Sequence, residues 1–316
     1  MAYLSLFLLV SAITMVVVLV TSLVKKRIFW NAYGEAGSRA YILQSLLRNV
    51  AWITIGACIY IAFIPIEFPP DYHTGLTVAI WIVVAVVCIL DWIPRKLIGK
   101  YFNITLSLFT LFLVYQLAMV YWPIKSTTAV ALAPPFKGEW YVFHGGNSPL
   151  INRHHFVGSE QYAMDILLPG DGKLPFENVT DLDKYETFGK SLLSPVDGVV
   201  ATLENSLADQ LIGNRDATNP YGNHIVIKTE PEVFVLMAHL QKDSVLVSEG
   251  DQVTIGQEIA RIGNSGNTAQ PHLHIQAMTR EDFLDTNTLP LPISFTVANQ
   301  DSRFFKRNDS LLGLSE

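Results

Sequence analysis

Gly263–Met278 reads GNSGNTAQPHLHIQAM, a polar turn sequence that runs into an alternating strand pattern. Successive side chains of a β-strand face opposite sides, so residues two apart share a face. His272 and His274 therefore point one way and the apolar Leu273 the other, which lets two imidazoles converge on one point. Pro271 is tolerated at the first residue of a strand, and Asn264-Ser265-Gly266-Asn267 supplies the turn leading into it. A lone pair of strand histidines is usually a satisfied structural pair. Its meaning depends on what lies upstream.

Upstream the character is β. Short runs rich in Val, Ile and Phe at 161–167, 198–203, 224–228, 234–240 and 258–262 are punctuated by Gly, Asn, Asp and Pro, and the last run is 272–277. No long segment of 3.6-residue period interrupts them. The pattern predicts an all-β antiparallel domain over 138–300, with long surface loops at 176–186 and 206–220 and a polar, loosely held tail at 301–316.

Further candidate ligands lie in this part of the chain, which holds seven of the eight histidines. Asp165 sits among apolar neighbours in Gln161-Tyr162-Ala163-Met164-Asp165-Ile166-Leu167. His154 and His155 lie ten or eleven residues before it, and His239 lies within Leu236-Met237-Ala238-His239-Leu240. Singly, each has a plainer reading: a solvated strand carboxylate, polar loop residues, a packed core imidazole. Together they offer nitrogen donors and one hard oxygen donor without sulfur, a set that suits Zn²⁺. A catalytic zinc needs only three protein ligands, leaving the fourth position to water. His224 and His144 read as structural or cleft-lining residues, and Tyr162 and Tyr221 as candidates for substrate stacking.

The segments Tyr162–Asp165, Ala238-His239-Leu240, Gly263–Asn267 and Pro271–His274 resemble the M23 (LytM/lysostaphin-like) zinc metallopeptidases, as does Glu249-Gly250-Asp251-x-Val253-x-x-Gly256-Gln257-x-Ile259. The resemblance implies a zinc endopeptidase with one Zn²⁺ per chain that cuts stem peptides or cross-links of bacterial peptidoglycan, with water on the metal as nucleophile. It makes Asp165 and His274 ligands, and His239 and His272 the histidines that act on the water and the oxyanion. In many members the first ligand lies four residues before the Asp, where this chain has Gln161. The ligand must reach in from His154 or His155, and the Asn-x-His pattern of one branch of the family favours His154.

Other readings find less support. A non-catalytic M23-like module that activates another cell-wall hydrolase would be marked by a missing ligand, and Asp165, His239, His272 and His274 are all present. Ser194-Pro195-Val196-Asp197-Gly198 and 249–259 also resemble the β-hammerhead of biotinyl or lipoyl carriers, but the lysine-bearing hairpin tip is missing.

The N-terminal part is different in kind. Residues 1–123 carry a net charge of +4 and residues 124–316 a net of −10. An acidic domain without a Lys/Arg cluster argues against nucleic-acid binding. Both cysteines, Cys58 and Cys88, fall in apolar runs, which excludes a disulfide framework or thiolate zinc site in the β domain. Runs at about 3–24, 50–68, 75–93 and 104–122 each approach the roughly 20 residues that cross a bilayer. They predict a four-helix transmembrane anchor over 1–123, lipid-embedded, followed by a linker at 124–137. Asp91, four residues before Arg95, reads as an interfacial carboxylate, and the absence of internal repeats argues against a transporter. Lys25, Lys26, Arg27, Arg39 and Arg48 in the first loop and Arg95, Lys96 and Lys100 in the third stay cytoplasmic. The protein is then expected in the bacterial plasma membrane, multi-pass, with its N-terminus and β domain extracytoplasmic.

Overall fold

A computed structural model describes residues 52, 55–56, 115, 118–119, 129–171, 181–229, 232–296 and 302–315. The expected transmembrane anchor, Asp91 and the charged loops lie outside the described residues, although the few described positions before residue 120 are helical. Among the described residues no helix is long and apolar enough to cross a membrane. The chain divides into two compact units, Met1–Ala118 and Met119–Glu316. The second unit holds the β domain.

Its strands are β1 (Val130–Leu132), β2 (Glu139–His144), β3 (Met164–Leu167), β4 (Ser191–Leu193), β5 (Gly198–Glu204), β6 (Asn223–Thr229), β7 (Val233–Leu240), β8 (Gln252–Val253), β9 (Glu258–Arg261), β10 (Leu273–Met278), β11 (Pro290–Leu291), β12 (Ile293–Phe295) and β13 (Ser310–Leu312). The main sheet runs β13-β2-β3-β10-β7-β6-β5-β8, with β11 also pairing β10; β4 pairs β9 and β1 pairs β12. All pairings are antiparallel except β1 with β12, which is parallel. The all-β antiparallel architecture expected from the sequence is the one observed, with that parallel pair as an addition.

Strand alternation explains which face does what. Met164 and Ile166 of β3, Leu273, Ile275 and Ala277 of β10, and Val235 and Met237 of β7 all enter one core, together with Leu192, Ile259, Phe295 and Trp140. Fully burying one such side chain contributes about 1.5–3 kcal/mol. The intervening residues, Asp165, His274 and Gln276, are buried on the opposite face. Hydrophobic burial beneath thus holds the polar row above.

Three expectations are corrected. Part of the 124–137 stretch read as a linker belongs to the domain: Val130 pairs with Ile293, and Leu132 and Phe136 are fully buried. Its Thr and Pro content suggested a spacer, but two apolar anchors among them outweigh composition. Residues 302–315 are not a loose tail, since β13 extends the main sheet along β2 and Phe305 and Leu311 are buried. Arg303 lies over the Phe305 ring at 4.2 Å, so the polar residues cover the apolar ones. The strand expected to begin at Gln161 begins at Met164. The Gln161 and Ala163 carbonyls accept from the Asn152 side chain instead of a neighbouring strand.

Candidate metal centre

A single row across the sheet carries the polar groups. His144 of β2 is registered opposite Asp165 of β3, Asp165 opposite His274 of β10, and His274 opposite Ala238 of β7. The Asp165 carboxylate lies at the middle. Its Oδ2 is 2.9 Å from His154 Nε2, and its Oδ1 is 3.1 Å from His274 Nδ1. The ligand atoms of His154, Asp165 and His274 all lie within 4.8 Å of one another, a grouping that could hold a metal ion. His155 points elsewhere, stacking its edge on Phe156.

His154 arrives from a short 3-10 helix, Arg153–Phe156, capped by Asn152. The Asn152 Oδ1 accepts the His154 N–H at 3.0 Å, while its Nδ2 donates to Gly146 O, Gln161 O and Ala163 O at 3.1, 3.2 and 3.2 Å. That one buried amide ties the ligand turn to the start of β3. It supplies the physical content of the Asn-x-His pattern.

His239 reaches the site by a different device. Val235 and Met237 enter the main core, so alternation would send residue 239 there too, yet Leu240 takes that place. The pairing of β6 with β7 shifts between Asn223 and His224, and His239 is the extra residue, with φ +62°. Left-handed backbone at a non-glycine costs on the order of 1–3 kcal/mol and clusters at functional sites. Here it turns the imidazole toward the polar row, 4.7 Å from the His272 ring and 5.8 Å from the His274 ring.

His272 lies one residue before β10 rather than within it. Its Nδ1 donates to Gln270 O at 2.8 Å, which leaves Nε2 facing Asp165 Oδ1 at 3.5 Å. The His239 Nδ1 likewise donates to Ser265 O at 2.9 Å. Both anchoring carbonyls come from the 263–270 loop. That loop lies against Gly222, where a Cβ would stand 2.4 Å from the Ser265 carbonyl.

The donor set can be tested for fit to a cation. His154 Nδ1 is 2.7 Å from Glu160 Oε2, and His274 Nε2 is 3.0 Å from Gln276 Oε1. Each ring gives its N–H to an oxygen behind it and so turns a lone pair toward the Asp165 carboxylate. Two lone pairs against one anion repel unless positive charge sits among them, as protons on the rings or as a metal ion. Two imidazoles and one carboxylate match the donor preference of zinc.

The electrostatics carry the same message. Burial disfavours a charged His154, but the Asp165 charge and hydrogen bond, with Glu160 behind, push it up to about 10. Burial alone would raise the Asp165 carboxyl; the His154 and His272 charges outweigh it and hold it well below the usual range. His239 is driven well below its ordinary value by burial and then by the charges of His272 and His274. Burial also pushes His144 down to about 3, against the pull of Asp165.

Residues 181–286 match the profile described as Peptidase family M23. The chain carries an M23 peptidase family domain. The matched stretch of this M23 domain contains His239, His272 and His274, while His154 and Asp165 precede it. Over 91 residues the chain is 35% identical to "Peptidoglycan DD-endopeptidase ShyB" of Vibrio cholerae, which covers 28% of this chain and 21% of that protein. Over 103 residues it is 30% identical to "Peptidoglycan DD-endopeptidase ShyA" of the same organism, covering 31% and 24%. The chain thus spans about a quarter or less of these relatives' length. Among solved structures, a zinc-containing peptidase from Vibrio cholerae aligns with a TM-score of 0.27 and 20% identity, covering 54% of this chain and 37% of that one. The lysostaphin catalytic domain from Staphylococcus simulans aligns with 0.27 and 18%, covering 45% and 80%.

The other sequence candidates divide clearly. His224 donates from Nδ1 to Gly222 O at 2.8 Å and packs edge-on to Phe283, a structural role. Tyr221 is buried with its hydroxyl 2.6 Å from Glu160 Oε1, and Tyr162 is half-buried in the turn before β3. Sequence reasoning missed Glu160 and Gln276. Gln276 lies two residues after His274 on the same strand, so strand parity alone puts it on the same face.

Proposed function

We propose that this chain is a zinc metalloendopeptidase that hydrolyses peptide bonds in peptidoglycan stem peptides or cross-links. The carrying observation is the convergence of His154, Asp165, His239, His272 and His274 on one polar row, with the lone pairs of His154 and His274 turned toward one carboxylate. The M23 match and the two DD-endopeptidase relatives support the substrate class.

His154 would hold zinc through Nε2, His274 through Nδ1, and Asp165 through its carboxylate. A zinc ion there supplies Lewis acidity toward the scissile carbonyl and toward the attacking water. The protein's own groups handle the protons. His239 is kept neutral by its burial, and with Nδ1–H spent on Ser265 O its Nε2 lone pair is free to take the proton from water. His272, beside the Asp165 carboxylate, offers an Nε2–H hydrogen bond to the developing oxyanion, and the proton that His239 takes from water passes on to the leaving amine. The anchored Nδ1 atoms keep both rings aimed throughout.

The apolar runs of the first 122 residues, with their loop charges, support a membrane anchor that places the domain on the wall side of the bilayer. The test is muropeptide digestion by the purified full chain, with and without chelator. Chelator-sensitive release of cleaved stem peptides, restored by zinc, is the expected result. Zinc-loaded protein that binds muropeptides without cleaving them would replace this reading with a regulatory one.

A further inference from the structure

The turn that delivers His154 also carries Ser159 and Glu160, and neither group is idle. Glu160 divides its carboxylate: Oε2 receives His154 Nδ1–H at 2.7 Å and Oε1 receives the Tyr221 hydroxyl at 2.6 Å. Ser159, adjacent in sequence and 7% exposed, donates from Oγ to Phe283 O at 2.9 Å and accepts from Gln276 Nε2 at 3.4 Å. Gln276, 1% exposed, in turn takes His274 Nε2–H on its Oε1 at 3.0 Å. His154 and His274, the two imidazoles nearest the Asp165 carboxylate, are therefore held from behind, and both supports lead back to one dipeptide.

We infer that Ser159-Glu160 is the shared outer support of the metal centre, with Glu160, locked by Tyr221, fixing the tautomer and aim of His154, and Ser159 steadying Gln276 behind His274. This rests on the zinc reading above. The need for such a support follows from topology. His274 and Asp165 sit on paired strands whose ladder fixes them, whereas His154 sits on a 3-10 turn. A ring on a turn has two faces and two tautomers to choose among, and an oxygen behind one nitrogen removes that freedom.

The two supports also differ. A carboxylate behind His154 makes that ring the more basic donor, while the neutral amide behind His274 only orients. The Tyr221 hydroxyl occupies the second Glu160 oxygen, which prevents the carboxylate from swinging toward Asp165. None of these residues touches the Asp165 carboxylate, so they are positioning residues.

The test uses the full chain titrated with zinc in competition with a chelator, and cobalt(II) substitution read by visible absorption. Glu160→Gln keeps shape and an acceptor but removes charge; it should weaken zinc about 10-fold and shift the cobalt bands while cobalt stays bound. Glu160→Ala should weaken zinc by about 10- to 100-fold, the range typical for outer-shell partners of metal ligands. Tyr221→Phe should fall between wild type and Glu160→Gln. If Glu160→Ala does not fold, the near-isosteric Glu160→Gln carries the test. Wild-type zinc affinity and wild-type cobalt bands in Glu160→Gln overturn the inference alone. A wild-type chain that takes up no zinc overturns the metal-centre reading, and this inference with it.

Discussion

Asp165 presents both carboxylate oxygens to imidazoles, Oδ2 to His154 and Oδ1 to His274. Asp165→Asn and His274→Ala are therefore expected to lose zinc, read as metal per chain after dialysis. His272→Ala should keep zinc and lower turnover by roughly 10²–10⁴-fold, the usual worth of a positioned proton donor, about 3–5 kcal/mol of barrier. Loss of zinc in His272→Ala would mean that the ligand and proton-transfer roles are exchanged. At this scale much was legible. Asp165, His272 and His274 follow from strand parity and motif because each lies on or beside a short regular strand. The choice of His154 over His155 came from the Asn-x-His resemblance alone and not from parity, since a 3-10 turn orients adjacent side chains by a geometry that no two-residue period encodes. Glu160, six residues on, was invisible for the same reason.

Elements place what parity alone would misplace. Asn152 bridges the ligand turn to β3 through four hydrogen bonds. Asn152→Ala strands three carbonyls and one N–H in a largely buried setting, at about 1–3 kcal/mol for each group left unsatisfied, less what relaxation recovers. Chemical denaturation should show a loss of about 3 kcal/mol or more. Asn152→Asp should not rescue it, because a carboxylate keeps the acceptor but loses the donors. The bulge at His239 makes a second prediction. With φ at +62°, glycine there relieves strain that alanine retains, so His239→Gly should be more stable than His239→Ala by about 1 kcal/mol although both lose activity. Equal stability of the two would mean that the bulge holds no strain. The bulge itself could not be read from Val233–Leu240, an apolar run broken only by His239, since a single imidazole fits a packed strand as well as a bulge.

Across the whole molecule, two consequences arise from burial and charge. Deleting 302–316 removes β13 and the buried Phe305 and Leu311, at about 1.5–3 kcal/mol each. A domain stable by about 5–15 kcal/mol would lose a large share of that, so the truncated chain should melt markedly lower. A melting temperature unchanged by the deletion would restore the loose-tail reading, which rested on average polarity and ignored two apolar anchors. The second consequence concerns pH. In metal-free protein His154 is raised to about 10, so the stability it contributes is fully present below its unfolded value near 6.5 and is lost as pH rises through about 10. Asp165 is lowered, so its contribution is present above about 4 and is lost as pH falls through its depressed folded value. His144 and His239, held neutral by burial, cost stability as pH falls below about 6.5, so metal-free protein should melt highest at about pH 6.5 and lower on either side. Zinc reverses the upper limb, because it competes with the proton for His154, and its stabilisation should grow as pH rises from 5 toward about 8. A zinc effect on melting that is flat across that interval would place the ion away from His154.

The most direct measurement is an anomalous difference map at the zinc edge from crystals of the protein grown with zinc. The account predicts one strong peak bounded by His154 Nε2, the Asp165 carboxylate and His274 Nδ1, with His239 and His272 directed toward it but outside bonding distance. No peak among these three side chains, or a peak ligated by His239 or His272 in place of His154 or His274, would contradict it.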